Sequence, residues 1–167
     1  LRPFLIIFLI GCAGGLVELE SDQNSAIGTV SRVSDGDTIG LRHGIKYTDA
    51  GTVKRLTSVR YIGVDTPERD EPYYQSAREL NKNLVYGKQV KLEFDRDRLD
   101  KYGRLLAYVY VGDTFVNAEM VRRGYARALM IEPNTKYAEL FQQLENEARD
   151  KRLGMWADDM IQKAGPG

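Results

Sequence analysis

Five side chains in this sequence have the types needed for phosphate chemistry: the acids Asp37, Asp65 and Glu68, and the cations Arg60 and Arg104. Asp37 closes a turn after an apolar–polar alternation. Asp65 and Glu68 lie where Asp65-Thr66-Pro67-Glu68 interrupts a long run rich in β-branched residues, since Pro67 cannot continue a central ladder. Arg60 precedes Asp65 in that run, and Arg104 follows a glycine at the start of a later one. Strand ends and their turns are where a rigid scaffold displays functional groups. Two carboxylates brought together there would bind a hard cation through oxygen. Arginine presents a rigid bidentate fork that matches a phosphate. Two carboxylates, a third acid and two arginines suffice for metal-assisted hydrolysis of a phosphodiester. Each residue also has a plainer reading. Asp35 and Asp37 are good turn formers, Asp65 can be a turn or cap residue, and the arginines can be solvated or sit in structural ion pairs. Nothing in the local spacing places Asp37 beside Asp65.

The elements that must position these groups are legible as periodicities. Ile27 to Ser34 alternates as a strand, Asp35-Gly36 is a favoured hairpin pair, and Asp37 to Arg42 is the return strand. His43 to Gly51 reads as a loop. Val53 to Val64 is a long strand. Pro72 to Tyr86 predicts a helix with Tyr74, Ala77, Leu80 and Leu84 on one face, stopped by Gly87. Lys88 to Phe94 and Arg104 to Val111 are strands around the charged turn Asp95–Gly103. Asn117 is a plausible N-cap of a short helix ending at Gly124. Lys136 to Arg152 is the longest helix, with an apolar stripe through Tyr137, Leu140, Phe141, Leu144 and Ala148. The expected fold class is α+β, mainly β: a five-stranded antiparallel barrel of the OB type with three helices.

Three segments carry a more specific signal. Asp35-Gly36-Asp37-Thr38, Arg60 through Val64-Asp65-Thr66-Pro67-Glu68, and Asp100-Lys101-Tyr102-Gly103-Arg104 resemble the signature segments of the thermonuclease (staphylococcal nuclease-like) family, in that family's order. Leu106–Tyr110, Val116-Asn117, Val121-Arg122, Gly124, Pro133-Asn134 and Leu153–Trp156 are similar as well, so the resemblance runs from about Thr29 to Asp158. It implies an OB-fold barrel with three helices and calcium-dependent cleavage of DNA and RNA at the 5′ P–O bond, leaving 3′-phosphates. It implies that Asp37, Asp65 and the carbonyl of Thr66 hold Ca²⁺. Glu68 would act on the attacking water, Arg60 and Arg104 would bind the phosphate, and Lys101 and Tyr102 would lie near the nucleotide's terminal phosphate. The pattern departs from the family at Leu129-Met130-Ile131-Glu132, where tyrosines are expected before the Pro-Asn pair. That departure predicts weaker or altered substrate binding with the chemistry intact. The stretch His43 to Val53 is also longer than in compact members.

Composition bounds the alternatives. With 167 residues, 43% hydrophobic and 29% charged, the chain is long enough for one domain with a core. Lys+Arg and Asp+Glu are 24 each, which excludes nucleic-acid binding by bulk charge. One Cys excludes an intramolecular disulfide, and one Cys with one His leaves a structural zinc site without ligands. Residues 1–12 have the layout of a secretory signal, with Arg2 as positive flank and an apolar run too short to span a bilayer. Leu9-Ile10-Gly11-Cys12 resembles a bacterial lipobox, which implies a lipid on Cys12, a secreted protein and an envelope membrane as partner; a plain signal peptide containing a Cys is the alternative. Residues 13–26 read as a flexible tether, 27–160 as the domain and 161–167 as a frayed tail. A monomer is the default expectation. Two other functions compete with the nuclease: a non-catalytic OB-type module binding nucleic acid or protein, and a structural envelope lipoprotein.

Overall fold

A computed structural model of the protein describes residues 24–157. The secretory-signal and lipobox readings, most of the tether and the frayed tail lie outside these residues. The elements are β1 (Ser25–Val33), β2 (Thr38–Asp49), β3 (Thr52–Tyr61), β4 (Val64–Asp65), α1 (Tyr74–Val85), β5 (Gln89–Glu93), β6 (Leu105–Val111), β7 (Thr114–Phe115), α2 (Val116–Arg122), β8 (Arg127–Ala128) and α3 (Ala138–Asp150), followed by a 3-10 turn at Gly154–Trp156. Among the described residues no helix is long and apolar enough to cross a membrane.

Five strands close into a barrel in the order β1-β2-β3-β6-β5 and back to β1. Four seams are antiparallel, as expected, but β3 and β6 run parallel, with Val59 opposite Leu105 and Tyr61 opposite Ala107. The barrel is therefore mixed. An odd number of strands cannot alternate direction all the way round a closed ring, so one parallel seam is unavoidable. β1 serves both sides of the barrel: Ser25–Thr29 pairs with β5, and Val30–Val33 pairs with β2 across a bulge. The bulge supplies the sharp turn a small barrel needs.

The inward positions of the strands make the core: Val30, Ile39, Val59, Leu92, Leu105 and Val109 are essentially solvent-free. α2 packs against α3, and Met120, Phe141 and Leu144 extend the same core from the helical side. A second, small cluster of Ala148, Met155 and Trp156 seals the end of α3.

Several expectations about the elements change. His43 to Gly51 is not a loop: β2 continues to Asp49 and β3 begins at Thr52, so the segment is the outer half of a long hairpin. Its glycines mislead because each has a local job. Gly44 lies within the irregularity between Gly40 and Ile45, and Gly51 lies in the tip turn, both at positive φ. The run Val53 to Val64 is interrupted at Ile62-Gly63, which separates β3 from β4. α1 starts at Tyr74, because Tyr73 takes a left-handed conformation and makes no side-chain cap. Asn117 is not an N-cap. It lies inside α2, fully buried, and its side chain accepts the Val109 N–H (2.9 Å) and donates to the Ile62 carbonyl (2.8 Å).

Candidate active site

The loop from Ser34 to Asp37 joins β1 to β2, and α1 holds it in place. Asn81 donates to the Asp35 carbonyl (2.9 Å), while Tyr74 and Arg78 both donate to the Ser34 carbonyl (3.3 Å each). Asn81 is itself fixed by the buried Tyr61 hydroxyl (2.8 Å). The end of β3 grips the same loop, the Tyr61 N–H donating to the Asp37 carbonyl (2.9 Å). Asp37 is thereby delivered, buried, to the end of β4. There its Oδ2 accepts from the Thr66 N–H (2.9 Å) and the Thr66 hydroxyl (2.8 Å), and its Oδ1 from the Thr38 hydroxyl (3.2 Å).

Arg60 joins the acids. Its Nη1 lies 3.0 Å from Asp37 Oδ2 and its Nη2 3.1 Å from Asp65 Oδ1. Nη1 also donates to the Val64 carbonyl at 2.8 Å. The two carboxylates that local spacing leaves apart thus meet on one guanidinium. Arg60 is in a structural ion pair, as its plainer reading had it, and it also lines the adjoining cleft.

Asp35 belongs to this acidic group. Burial first, and then the negative charge of Asp37, push its carboxyl up to about 6. Asp65 is raised too, by burial; Arg60 pulls the other way, Asp37 adds to the rise and Arg127 opposes it. Arg127 stands directly opposite Asp65 in the β4–β8 pair. Sequence reasoning took Asp35 for a turn former and passed over Arg127. The one available signal for Asp35 was its spacing: two acids flanking one glycine in a tight turn must share a field.

The other half of the site is a cleft of about 410 Å³, lined among others by Arg60, Arg104, Lys101 and Tyr102. The parallel seam explains why both arginines reach it. Arg60 pairs with Leu106, and Arg104, two positions earlier in the segment leading into β6, falls on the same face. Asp100 organises the turn. Its Oδ1 accepts the N–H groups of Tyr102 and Arg104 (2.9 Å each), and its Oδ2 takes the Arg104 Nε at 2.6 Å. Burial opposes the charge of Asp100, but these donors hold its carboxyl below the usual range. With Nε used, the two Nη groups of Arg104 make no hydrogen bond among the described residues. Its guanidinium carbon sits 5.4 Å from the centre of the Tyr102 ring, and Lys101 Nζ sits 5.0 Å from it. Opposite, Leu129, Ile131 and Glu132 form the wall where tyrosines were expected. Asn134 ties that wall to the arginine side by a reciprocal pair of 2.8 Å bonds with the backbone of Asp97.

Glu68 lies on the exposed loop between β4 and α1, three residues beyond Asp65. Its N–H is capped by Glu71 (2.8 Å), and its carboxylate makes no hydrogen bond or ion pair among the described residues. The structure brings Asp37, Asp65, Thr66 and Arg60 into contact and sets Arg104, Lys101 and Tyr102 around the cleft that Arg60 shares. Glu68 is on the acidic side but does not line the cleft.

Among the described residues no three His, Cys, Asp or Glu side chains converge closely enough to hold a metal by themselves. Asp37 and Asp65 nevertheless offer two carboxylates at one point, both paired with Arg60. Oxygen donors without sulfur or imidazole suit a hard divalent cation that completes its shell with carbonyls and water.

The family model described as Staphylococcal nuclease homologue matches residues 58–158. The chain belongs to this family. Among staphylococcal nuclease-like relatives, it is 38% identical to the Thermonuclease of Staphylococcus intermedius over 158 residues, covering 91% of this chain and 89% of that protein. It is 44% identical to the SPbeta prophage-derived endonuclease YokF of Bacillus subtilis (strain 168) and 42% identical to Endonuclease YncB of the same organism, each over 77% of this chain. It spans only 43% and 61% of those two relatives' lengths. The mixed five-stranded barrel with three helices is the OB-type architecture that the motifs imply.

Proposed function

We propose that the protein is a calcium-dependent nuclease, a phosphodiesterase that hydrolyses the 5′ P–O bond of DNA and RNA and leaves 3′-phosphorylated products. The observation that carries this reading is the position of Arg60. It ion-pairs with Asp37 and Asp65 and, across the parallel seam from Arg104, lines the cleft. On this reading one side chain joins a metal-ligating oxygen set to a phosphate-binding pair of arginines. The relatives' names, thermonuclease and endonuclease, point the same way.

In this reading Asp37, Asp65 and the Thr66 carbonyl hold Ca²⁺, which when bound neutralises phosphate charge. The uncommitted Nη groups of Arg104 take non-bridging oxygens of the phosphate and hold the charge that grows on them as water adds to phosphorus. Glu68, whose carboxylate makes no bond among the described residues, orients that water and accepts its proton. The new P–O bond forms in line with the bond to the 5′ oxygen, which leaves and takes a proton from solvent water. Lys101 and Tyr102 bind the nucleotide at the outer edge of the cleft.

Digestion of single-stranded DNA by the full chain tests this, with Ca²⁺, with EGTA, and with Glu68→Ser and Arg104→Ala beside the wild type. Cutting that requires Ca²⁺ and falls by about two to three orders of magnitude in each variant is expected. A folded wild type that binds DNA but cuts under no metal would leave the non-catalytic binding module as the function.

A further inference from the structure

The outer half of the β2–β3 hairpin has no part in the site described above. Beyond the irregularity after Gly40, pairing resumes at Ile45 with Leu56 and runs to Asp49 with Thr52. In this stretch the two strands pair with each other and with no third strand, since β6 joins β3 only from Val59 and β1 joins β2 only as far as Leu41. It is a two-stranded ribbon continuing out of the barrel.

Its charges are arranged against its own stability. Lys46 lies directly opposite Arg55, on one face; like charges so placed repel each other. Lys54 lies opposite Tyr47, on the other face. Lys46, Lys54 and Arg55 are all exposed, and no ion pair among the described residues neutralises them. Arg55 is held by a carbonyl, that of His43 (3.2 Å), and not by an acid. From Arg42 to Arg55 the sequence has four Lys/Arg against one acid, Asp49, in a chain whose overall charge is zero. The positive charge is therefore concentrated where the barrel does not need it.

We propose that this ribbon is a second nucleic-acid contact, an arm that binds the phosphate backbone of a single strand whose scissile phosphate lies in the cleft. The substrate class rests on the nuclease reading. β2 bulges after Gly40, so the span is read on β3, where Arg55, opposite Lys46, lies five residues from Arg60, opposite Thr38. At about 3.3 Å per residue that is roughly 17 Å, so a strand must extend a few nucleotides past the cleft to reach the arm. Tyr47, half-buried beside Lys54, supplies a ring face on which a base can stack. Cations that repel one another in the free protein are relieved by a polyanion, which gives the arm its preference for nucleic acid over a neutral partner.

The test compares wild type with the full-chain variant Lys46→Gln/Lys54→Gln/Arg55→Gln, its fold checked by circular dichroism. Two substrates are used, a dinucleotide and a single-stranded DNA long enough to span cleft and arm. The variant should keep the wild-type kcat/KM on the dinucleotide and show a several-fold higher KM on the long strand at low salt. In EGTA, fluorescence anisotropy with the same long strand should give a plot of log affinity against log salt shallower by about 2, from three lost contacts at about 0.7 each. Lys46→Arg/Lys54→Arg should behave as wild type. Equal losses on both substrates, or an unchanged salt slope, would overturn the proposal. Loss of binding to phosphatidylglycerol vesicles with DNA affinity intact would also overturn it, making the arm a membrane contact. The anisotropy arm needs no cutting, so a wild type that cuts nothing while the variant still loses salt-dependent affinity would sink the nuclease reading and leave the arm standing.

Discussion

Arg60 does two things that look like alternatives in the sequence: it is a structural ion-pair partner and it faces the cleft. Deciding between them required knowing that Asp37 and Asp65 both reach it, a contact made by the fold and not by spacing. Asp35 gives this arrangement a measurable consequence. Its carboxyl is raised to about 6, by burial and then by Asp37, above the usual carboxylate value. An acid whose folded value is raised favours the folded state when protonated. That contribution is full below the unfolded value near 4 and is lost as pH rises through 6. In EGTA, the folding stability of the wild type should therefore decline between about pH 4 and 6.5, about half of the fall coming above pH 5. Asp35→Asn should remove that decline and be more stable at pH 7.5 by about 1 kcal/mol, a figure reduced for solvent screening of a partly exposed group. Urea midpoints at pH 5 and 7.5 check this; parallel curves for wild type and variant would mean that burial and Asp37 do not raise Asp35 as described.

Short connections between elements do most of the positioning. Ile62-Gly63 turns the chain from β3 to β4 and so sets the separation of Arg60 from Asp65. Gly63 has φ +79°, and a Cβ there would lie 2.4 Å from the Phe141 ring of α3. Gly63→Ala should cost about 2–4 kcal/mol, combining left-handed strain with an overpacked contact. It should also lower activity beyond what the unfolded fraction explains, because relief of the clash moves Arg60 relative to Asp65. Urea unfolding and kcat/KM on the same preparation separate the two effects; a loss below 1 kcal/mol would mean α3 yields freely at Phe141. The sequence made α3, the barrel-forming parts of the five main strands and the break at Pro67 readable, since periodicity and proline act locally. It did not reveal that Asn117 is a buried bracket between β6 and the Ile62 carbonyl, because a side chain good at capping is equally good at satisfying two buried backbone groups. It hid the outer hairpin for a similar reason: Gly44 and Gly51 look like loop residues, and their neighbours show no buried face to impose alternation on the pattern.

Across the molecule, balanced charge conceals strong local imbalance. Acids gather at the Asp35–Asp37–Asp65 end, the cleft sets Arg60, Lys101 and Arg104 beside Asp97, Asp100 and Glu132, and cations outnumber acids on the outer ribbon. The motif order in the sequence singled out three short segments, and the barrel brings those segments to one end. How they divide into an acidic half and a half that bears both arginines depends on the parallel seam, which no local pattern encodes. That division makes the calcium reading testable without catalysis. A cation bound by the folded state alone stabilises it by RT ln(1 + [L]/Kd), about 2.7 kcal/mol at a hundredfold excess over Kd. For a domain of this size that is a rise in Tm of roughly 5–10 °C. Trp156 is a suitable reporter of unfolding, because it is buried and its ring is covered by Arg149 at 3.6 Å. Wild type should show the rise on Ca²⁺ addition, and Asp37→Asn/Asp65→Asn should show none. A wild-type Tm indifferent to Ca²⁺ would remove the metal from the mechanism and leave Arg60 and Arg104 as a phosphate-binding pair in a module that binds nucleic acid without cutting it.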